Sequence, residues 1–424
     1  MTTMSADTQT FIEHALARSE QLDQEQPGCR KLREAGRTLL GGGLPEGRFE
    51  QWKYTRITPF YDPAFAAAEA APASAGDKKN LVQWPQQRVD LQLPDAAHNA
   101  APAQNLPDGL TVVSFNEADE QTRPLLDQYL NLGIDPDRHT LNPINMALLA
   151  DGLLVHVAAD TRIDPLLSLT SLAGGLPASC QRLLLVMAPG SRATLLEVAD
   201  HQLPRNLVVE IHLGRNARLD HTRLQPASEH NVWQLLHCRI DAGAQYHFNG
   251  YAMAGTPHRN EIHLQFIGEQ AEAYLRGAFM ANGRGRLDHQ MCIEHQAAHC
   301  RSEQQFHGIA LDKSELTFNG RIHIHQHAQQ TDARLSNKNL LGSDSAKVNT
   351  KPELEIYADD VKCAHGATVG QLDAEALFYL QSRGISTEEA RRMLLHGFVG
   401  SVLPDDDAFG IGDHLNQVLD QWLG

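Results

Sequence analysis

The chain has no Cys-x-x-Cys: Cys29, Cys180, Cys238, Cys292, Cys300 and Cys363 are scattered along 424 residues. Thiols so few and so far apart make no disulfide framework, and reduced cysteines in a cytoplasmic protein are the simpler expectation. No window approaches the run of about eighteen uncharged apolar residues that a membrane span requires. The opening MTTMSADTQTFIEHALARSEQ has no basic stretch followed by an apolar one, so no secretory signal is expected. Basic residues are short, 36 Lys and Arg against 52 Asp and Glu, and the net charge of −16 argues against a nucleic-acid or anionic-membrane surface. Gly41-Gly42-Gly43 lacks a following Lys-Ser/Thr and follows a helical pattern, so it is a flexible stop rather than a phosphate loop. Without a P-loop the chain is not itself an ATPase.

What is present reads as a soluble globular protein, 42% hydrophobic and 21% charged. Its length calls for two or three domains, or for an elongated stack. Residues 8–42 show helical spacing in two runs, separated by Pro27-Gly28. The aromatic stretch Arg48–Phe65 is either a surface for a base or flavin ring or, by preference, an apolar clasp holding the helices to the next domain. Ala64–Ala103 is Ala/Pro-rich and reads as a mobile loop around one weak strand pair. Asn142–Asp151 reads as a short helix. These parts make an N-terminal region, residues 1–150.

From Leu153 onward short β-rich runs alternate with tight turns at Pro189-Gly190-Ser191, Gly214-Arg215-Asn216, Asp241-Ala242-Gly243 and Gly268-Glu269-Gln270, with further candidates at Glu294–Gln296 and Leu311–Ser314. The first four recur every 24 to 29 residues or so, about one coil of a solenoid. No long helices intervene, which disfavours a doubly wound sheet, and the run is long for one sandwich. A right-handed parallel β-helix core over 151–368, flanked by N-terminal and C-terminal α-helical regions, is therefore expected. On Arg321–His327, the imidazoles of His323, His325 and His327 fall on one strand face, with His289, His295, His299 and His307 nearby in sequence. They form either a metal ladder or the wet face of the coil, since Ile322 and Ile324 point the opposite way; the wet face is preferred. Cys180, Cys238, Cys292 and Cys300 lie in strand runs and are expected to be buried small hydrophobes.

In Cys363-Ala364-His365-Gly366, strand alternation places Cys363 and His365 on one face. Thiol and imidazole are ligands that iron and zinc accept, although packing is the commoner use of such a pair. The remainder, 369–424, returns to helix. Asp373 caps Ala374–Arg383, and Ser386 with Glu389 has the form of a capping box. Ala390, Met393, Leu394, Gly397 and Phe398 stripe the next helix, and Leu415, Val418, Leu419 and Trp422 a terminal one. Three short helices at the end of a solenoid would cap it or offer a groove to a partner.

The run LEIYADDVKCAHGATVGQLDAEALFYLQSRGIS, preceded by NKNLLGSDSAKVNTKPE, resembles the C-terminal signature of the SufB/SufD family, the non-ATPase subunits of the SUF iron–sulfur cluster assembly machine. RFEQWKYTRITPF, Arg48–Phe60, resembles the family's N-terminal motif less specifically. The SufB branch typically has an acidic residue and Glu-Ala where this chain reads His365-Gly366-Ala367, so the SufD branch fits better. The resemblance implies a β-helix without catalytic residues that pairs with a SufB-like paralogue through strands within Arg334–His365. It also implies docking of a SufC-like ATPase on the C-terminal helices, with Met393, Leu394 and Phe398 as contacts. His365 becomes the metal-facing residue, with Cys363 beside it, at a transient iron–sulfur cluster shared with a partner cysteine. A flavin, and a homodimer of the isolated chain, are left open. Two other readings stand beside this one: a β-helix enzyme acting on polysaccharide, for which Asp359 and Asp360 lack companion groups, and a metal protein built on the His323–His327 ladder.

Overall fold

A computed structural model describes residues 4–47, 49–66, 81–94, 106–171, 179–198 and 204–423. Arg48 and most of the Ala/Pro-rich segment expected to be mobile lie outside the described residues. The middle of the chain is a parallel β-solenoid of about seven turns built from two facing sheets. The first stacks β1 (Arg88–Leu93), β4 (Leu166–Ser171), β6 (Arg192–Val198), β8 (Arg218–Gln225), β10 (Gln245–Ala254), β12 (Glu272–Ala281), β14 (Arg301–Ala310), β16 (Asp332–Leu341) and β18 (Lys362–Gly370) in that order. The second stacks β2 (Leu110–Ser114), β3 (Leu153–Val157), β5 (Ser179–Met187), β7 (Arg205–Leu213), β9 (Val232–Ile240), β11 (Pro257–Phe266), β13 (Arg286–His295), β15 (Glu315–Ile324) and β17 (Lys347–Ile356). All pairings between these strands are parallel except β2 with β3. β1 and β2 thus join the sheets although they precede residue 151.

The register shows how the sequence closes each circuit. Leu195 lies opposite His221, 26 residues on, and Ala333 opposite Cys363, 30 residues on. Inward positions alternate along each strand, as in Leu316, Phe318, Ile322 and Ile324, and feed one core running the length of the coil. One corner recurs as a turn with a residue in the left-handed region: Gly190, Asn216, Gly243, Gln270, His299 and Gln330 all have positive φ. The N–H of each donates to a carbonyl in the next turn, from Gly190 to Arg215 through to Gln330 with Asp360. Corners therefore form their own hydrogen-bonded ladder, which is why Gly, Asn and other polar residues recur there. The turn expected at Glu294–Gln296 sits later, at 297–299, because Glu294 and His295 complete β13. At the Gly250–Gly277 register pair a Cβ on Gly277 would stand 1.8 Å from the Gly250 carbonyl oxygen, so the rungs approach there only because no side chain intervenes.

Helices α1 (Ala6–Glu25), α2 (Arg30–Gly41), α3 (Arg123–Tyr129) and α4 (Asn142–Leu148) precede the coil. Trp52, Phe60 and Tyr61 are buried with Phe11 and Ile12 of α1, Ile144 and Ala147 of α4, and the outward Val208, Trp233 and Leu235 of the second sheet. The aromatic stretch is thus the clasp: Trp52 donates to Thr140 Oγ1 at 3.0 Å and lies 3.8 Å under the Arg259 guanidinium.

At the other end come α5 (Ala374–Ser382), α6 (Thr387–Gly400) and α7 (Ile411–Leu423). Leu395, Val399, Leu415 and Leu419 pack on the outward face of the first sheet, against Tyr251, Met253, Met280 and Ile309. The helices therefore line the flank of the coil and leave its last rung uncapped. Asp373 caps α5 through the N–H groups of Glu375 and Ala376. Ser386 caps α6 through the Glu389 N–H, while the Glu389 carboxylate pairs with Arg392 rather than closing the box.

Candidate functional site: the open terminal rung and an adjoining polar cleft

β17 and β18 end their sheets, each pairing on one side only among the described strands. Cys363 lies opposite Ala333 and His365 opposite Leu335, both core residues, so both side chains occupy inward-facing register positions. With no further rung to cover them, Cys363 is half-buried against the core edge and His365 is exposed. Burial, aided by Asp332, pushes the Cys363 thiol up to about 11, so it is a neutral thiol near neutral pH. Ile356, Tyr357 and Val369 add exposed apolar surface to the same end. An unpaired strand edge with exposed hydrophobic side chains is a template for another chain. Thiol and imidazole, two residues apart on that edge, are both groups that iron and zinc accept as ligands.

The other expected residues fall elsewhere. Met393 is exposed on α6, Leu394 is half-buried, and Phe398 stacks on His307 at 4.4 Å between ring centres. The buried stripe of α6 is Ala390, Leu395 and Val399 rather than the whole expected face. The histidine ladder does not form as spaced. β15 stops at Ile324, His323 and His325 stack at 4.1 Å, and His327 lies in the following turn. Ile322 and Ile324 do point into the core. His289 and His295 are buried in the coil interior, His299 is a corner residue, and His307 is outward under Phe398.

Sequence reasoning missed a second cluster, on the outward face of the second sheet. A cleft of about 290 Å³ is lined by Arg138, His139, Arg259, Glu261, Cys292 and Arg321, among others. Arg259 donates to Glu261 at 2.7 Å and to Asp288 at 2.8 Å, all three buried. Burial raises the Glu261 carboxyl, but Arg259 and His139 outweigh it and hold the group at about 2. His139 Nδ1 is 2.7 Å from Glu261 and its Nε2 3.1 Å from His263 Nδ1. Burial lowers His263 to about 4, so its ring is neutral. Cys292 is buried as expected, yet it sits in polar company, accepting from Arg138 at 2.8 Å. Cys238 and Cys300 line the apolar core, and Cys180 lies beneath α4. The sequence signal for this cluster is the circuit length, because His263 and Cys292 become neighbours only once that spacing is known.

Fold and site together define a β-solenoid protein whose last described rung leaves the edges of β17 and β18 unpaired, with Cys363 and His365 on one of them. Comparison with known families gives two matches: the SufBD core domain of SUF system FeS cluster assembly over residues 170–398, and the SufBD protein N-terminal region over 8–169. The chain belongs to the SufB/SufD family of iron–sulfur cluster assembly proteins. It is similar to the iron–sulfur cluster assembly protein SufD of Escherichia coli K12, 30% identical over 386 residues covering 86% of each chain. A SufBD family protein of Synechocystis is 29% identical over 407 residues, 91% of this chain and 89% of its own. A chloroplastic protein of Arabidopsis thaliana, ABCI7, is 34% identical over 205 residues, 47% of this chain and 42% of its own. No described helix is long and apolar enough to cross a membrane.

Proposed function

We propose that this chain is a non-catalytic, cytoplasmic scaffold subunit of the SUF machine, pairing with a SufB-like paralogue and carrying a SufC-like ATPase. In this reading residues 151–368 form the scaffold proper, 1–150 the clasped N-terminal part and 369–424 the ATPase-docking part. The open edge of β17 and β18 meets the paralogue, and His365 holds iron or nascent cluster with a cysteine of that partner. The observation that carries the reading is the exposure of His365 at an inward register position on an uncovered rung. An imidazole nitrogen there is a borderline ligand of the kind iron accepts. A site divided between two chains is opened or closed by whatever moves them, so ATP-driven motion of the docked ATPases would gate it.

The test is His365→Ala in the co-expressed complex. Co-purification and thermal unfolding should match wild type, while reconstituted cluster, read by its visible absorption and iron content, should fall at least several-fold. Normal cluster yield from an intact complex would remove His365 from the mechanism.

A further inference from the structure

We propose that His263, Cys292 and Glu294 form a site for one borderline divalent transition-metal ion, distinct from His365 and independent of the role given to it. The three side chains share the outward face of the second sheet. His263 and Cys292 are register partners on adjacent rungs, and Glu294 is two residues further along β13. One ligand atom from each lies within 4.8 Å of the others, the single such group of three or more among the described residues. His263 Nε2 is 3.3 Å from Glu294 Oε1, and Cys292 Sγ is 4.0 Å from the same oxygen. A tetrahedral zinc-like ion separates an N and an O ligand by about 3.3 Å, and an S and an O ligand by about 3.6 Å. The nitrogen–oxygen spacing already matches, and the sulfur needs to move only a few tenths of an ångström.

Glu261, His139, His263 and Glu294 form a line with three polar gaps: 2.7 Å, 3.1 Å and 3.3 Å. The neutral His263 ring brings one N–H group, and His139 would bring one more as a neutral imidazole. When His139 donates to Glu261 and His263 donates to His139, the His263 Nε2 lone pair faces the Glu294 carboxylate with nothing between them. That nitrogen is buried and makes no hydrogen bond. In that tautomer the two facing acceptors need a cation between them, and the Cys292 thiol converges on the same gap. Glu261 and His139 then act as the outer partners that fix the tautomer of a metal-binding imidazole.

Thiolate, carboxylate and neutral imidazole would balance a dication, leaving a fourth position towards the cleft for water. Arg138 now supplies the positive charge: it donates to Cys292 Sγ at 2.8 Å and lies 3.6 Å from Glu294. Its side chain is partly exposed, so it can leave the site through the cleft mouth. Metal and Arg138 compete for one position.

The test uses the full-length chain, reduced and stripped of metal, with Co²⁺ and Zn²⁺ as probes. Wild type should bind about one Co²⁺ with a thiolate-to-cobalt charge-transfer band. Cys292→Ser should abolish that band and weaken binding at least tenfold, and the Cys363→Ser/His365→Ala double variant should leave both unchanged. Arg138→Met removes a competing cation rather than a ligand, and should tighten Zn²⁺ binding about tenfold or more even if Cys292→Ser proves unstable. The proposal fails if neither wild type nor Arg138→Met gives the thiolate band, if the band survives Cys292→Ser, or if Arg138→Met leaves affinity unchanged. Metal-free protein whose His139 is an imidazolium by NMR, and which takes up no Co²⁺, would show that a proton fills the gap instead.

Discussion

At the scale of single residues, the outer face of the second sheet shows what alternation alone conceals. Arg259 occupies an outward position, where a charge on a strand reads as a solvated face. The clasp buries it instead, between Glu261, Asp288 and the Trp52 ring. Arg259→Met keeps most of the stem against Trp52 but leaves two buried carboxylates without their cation. Breaking a buried pair from one side costs about 3–5 kcal/mol, much more than an exposed pair contributes. The urea midpoint of the variant should fall accordingly, with an unchanged slope. A change below about 1 kcal/mol would mean that water or His139 already satisfies Glu261 and Asp288. Arg182 with Glu210, both fully buried at 2.6 Å, repeats the device closer to the start of the coil.

At the scale of elements, α6 has one face packed on the coil and another left exposed, the one to which the proposed function gives ATPase docking. Ala390, Leu395 and Val399 face the first sheet, and Phe398 is held over His307, whose Nδ1 lies 2.9 Å from the Phe398 carbonyl oxygen. Met393 points away, and α5 nearby in sequence carries the exposed Phe378 and Tyr379. Met393→Glu should therefore leave the melting temperature within a degree or two while weakening ATPase-subunit binding several-fold in a pull-down. Phe398→Glu should lower the melting temperature itself by loosening α6 from the coil. Equal binding by wild type and folded Met393→Glu would move the docking surface off this helix. The sequence stripe merged these two faces because a 3.6-residue period finds apolar residues without saying which of two neighbours each one meets. Elsewhere local chemistry was enough: the corners at Gly190, Asn216, Gly243 and Gln270 were legible from their turn residues, and Cys363 and His365 were placed on one face by alternation. What was not legible depends on circuit length. The meeting of Arg138, His263 and Cys292 joins residues remote in sequence, and the histidine ladder failed because β15 ends one residue before His325.

At the scale of the whole molecule, a coil buries whatever its inward positions carry, and here some of them carry imidazoles. His289 lies among Phe279, Phe306 and Phe318, His295 stacks on Phe266 at 4.4 Å, and His258 contacts Gln225. Burial lowers His258 to about 4 and His289 and His295 to about 3. The unfolded chain takes up these protons near pH 6.5 and the folded chain refuses them. Stability from these groups is therefore complete above that pH and is lost as pH falls from 6.5 towards the folded values. Each group loses about 1.4 kcal/mol per pH unit within that window, so the three together should cost several kcal/mol between pH 7 and pH 5. Glu197 and Glu261, held at about 2 by their cationic partners against the pull of burial, lose their contribution only below about pH 4.5. Asp151 and Glu210, raised by burial, act in the opposite direction. The net expectation is a marked fall in the urea midpoint from pH 7 to pH 5. His289→Phe replaces one imidazole with a ring suited to its three phenyl neighbours, and should remove about a third of the fall that these three histidines contribute. An equal drop in wild type and variant would show that the interior of the coil admits a proton at that position.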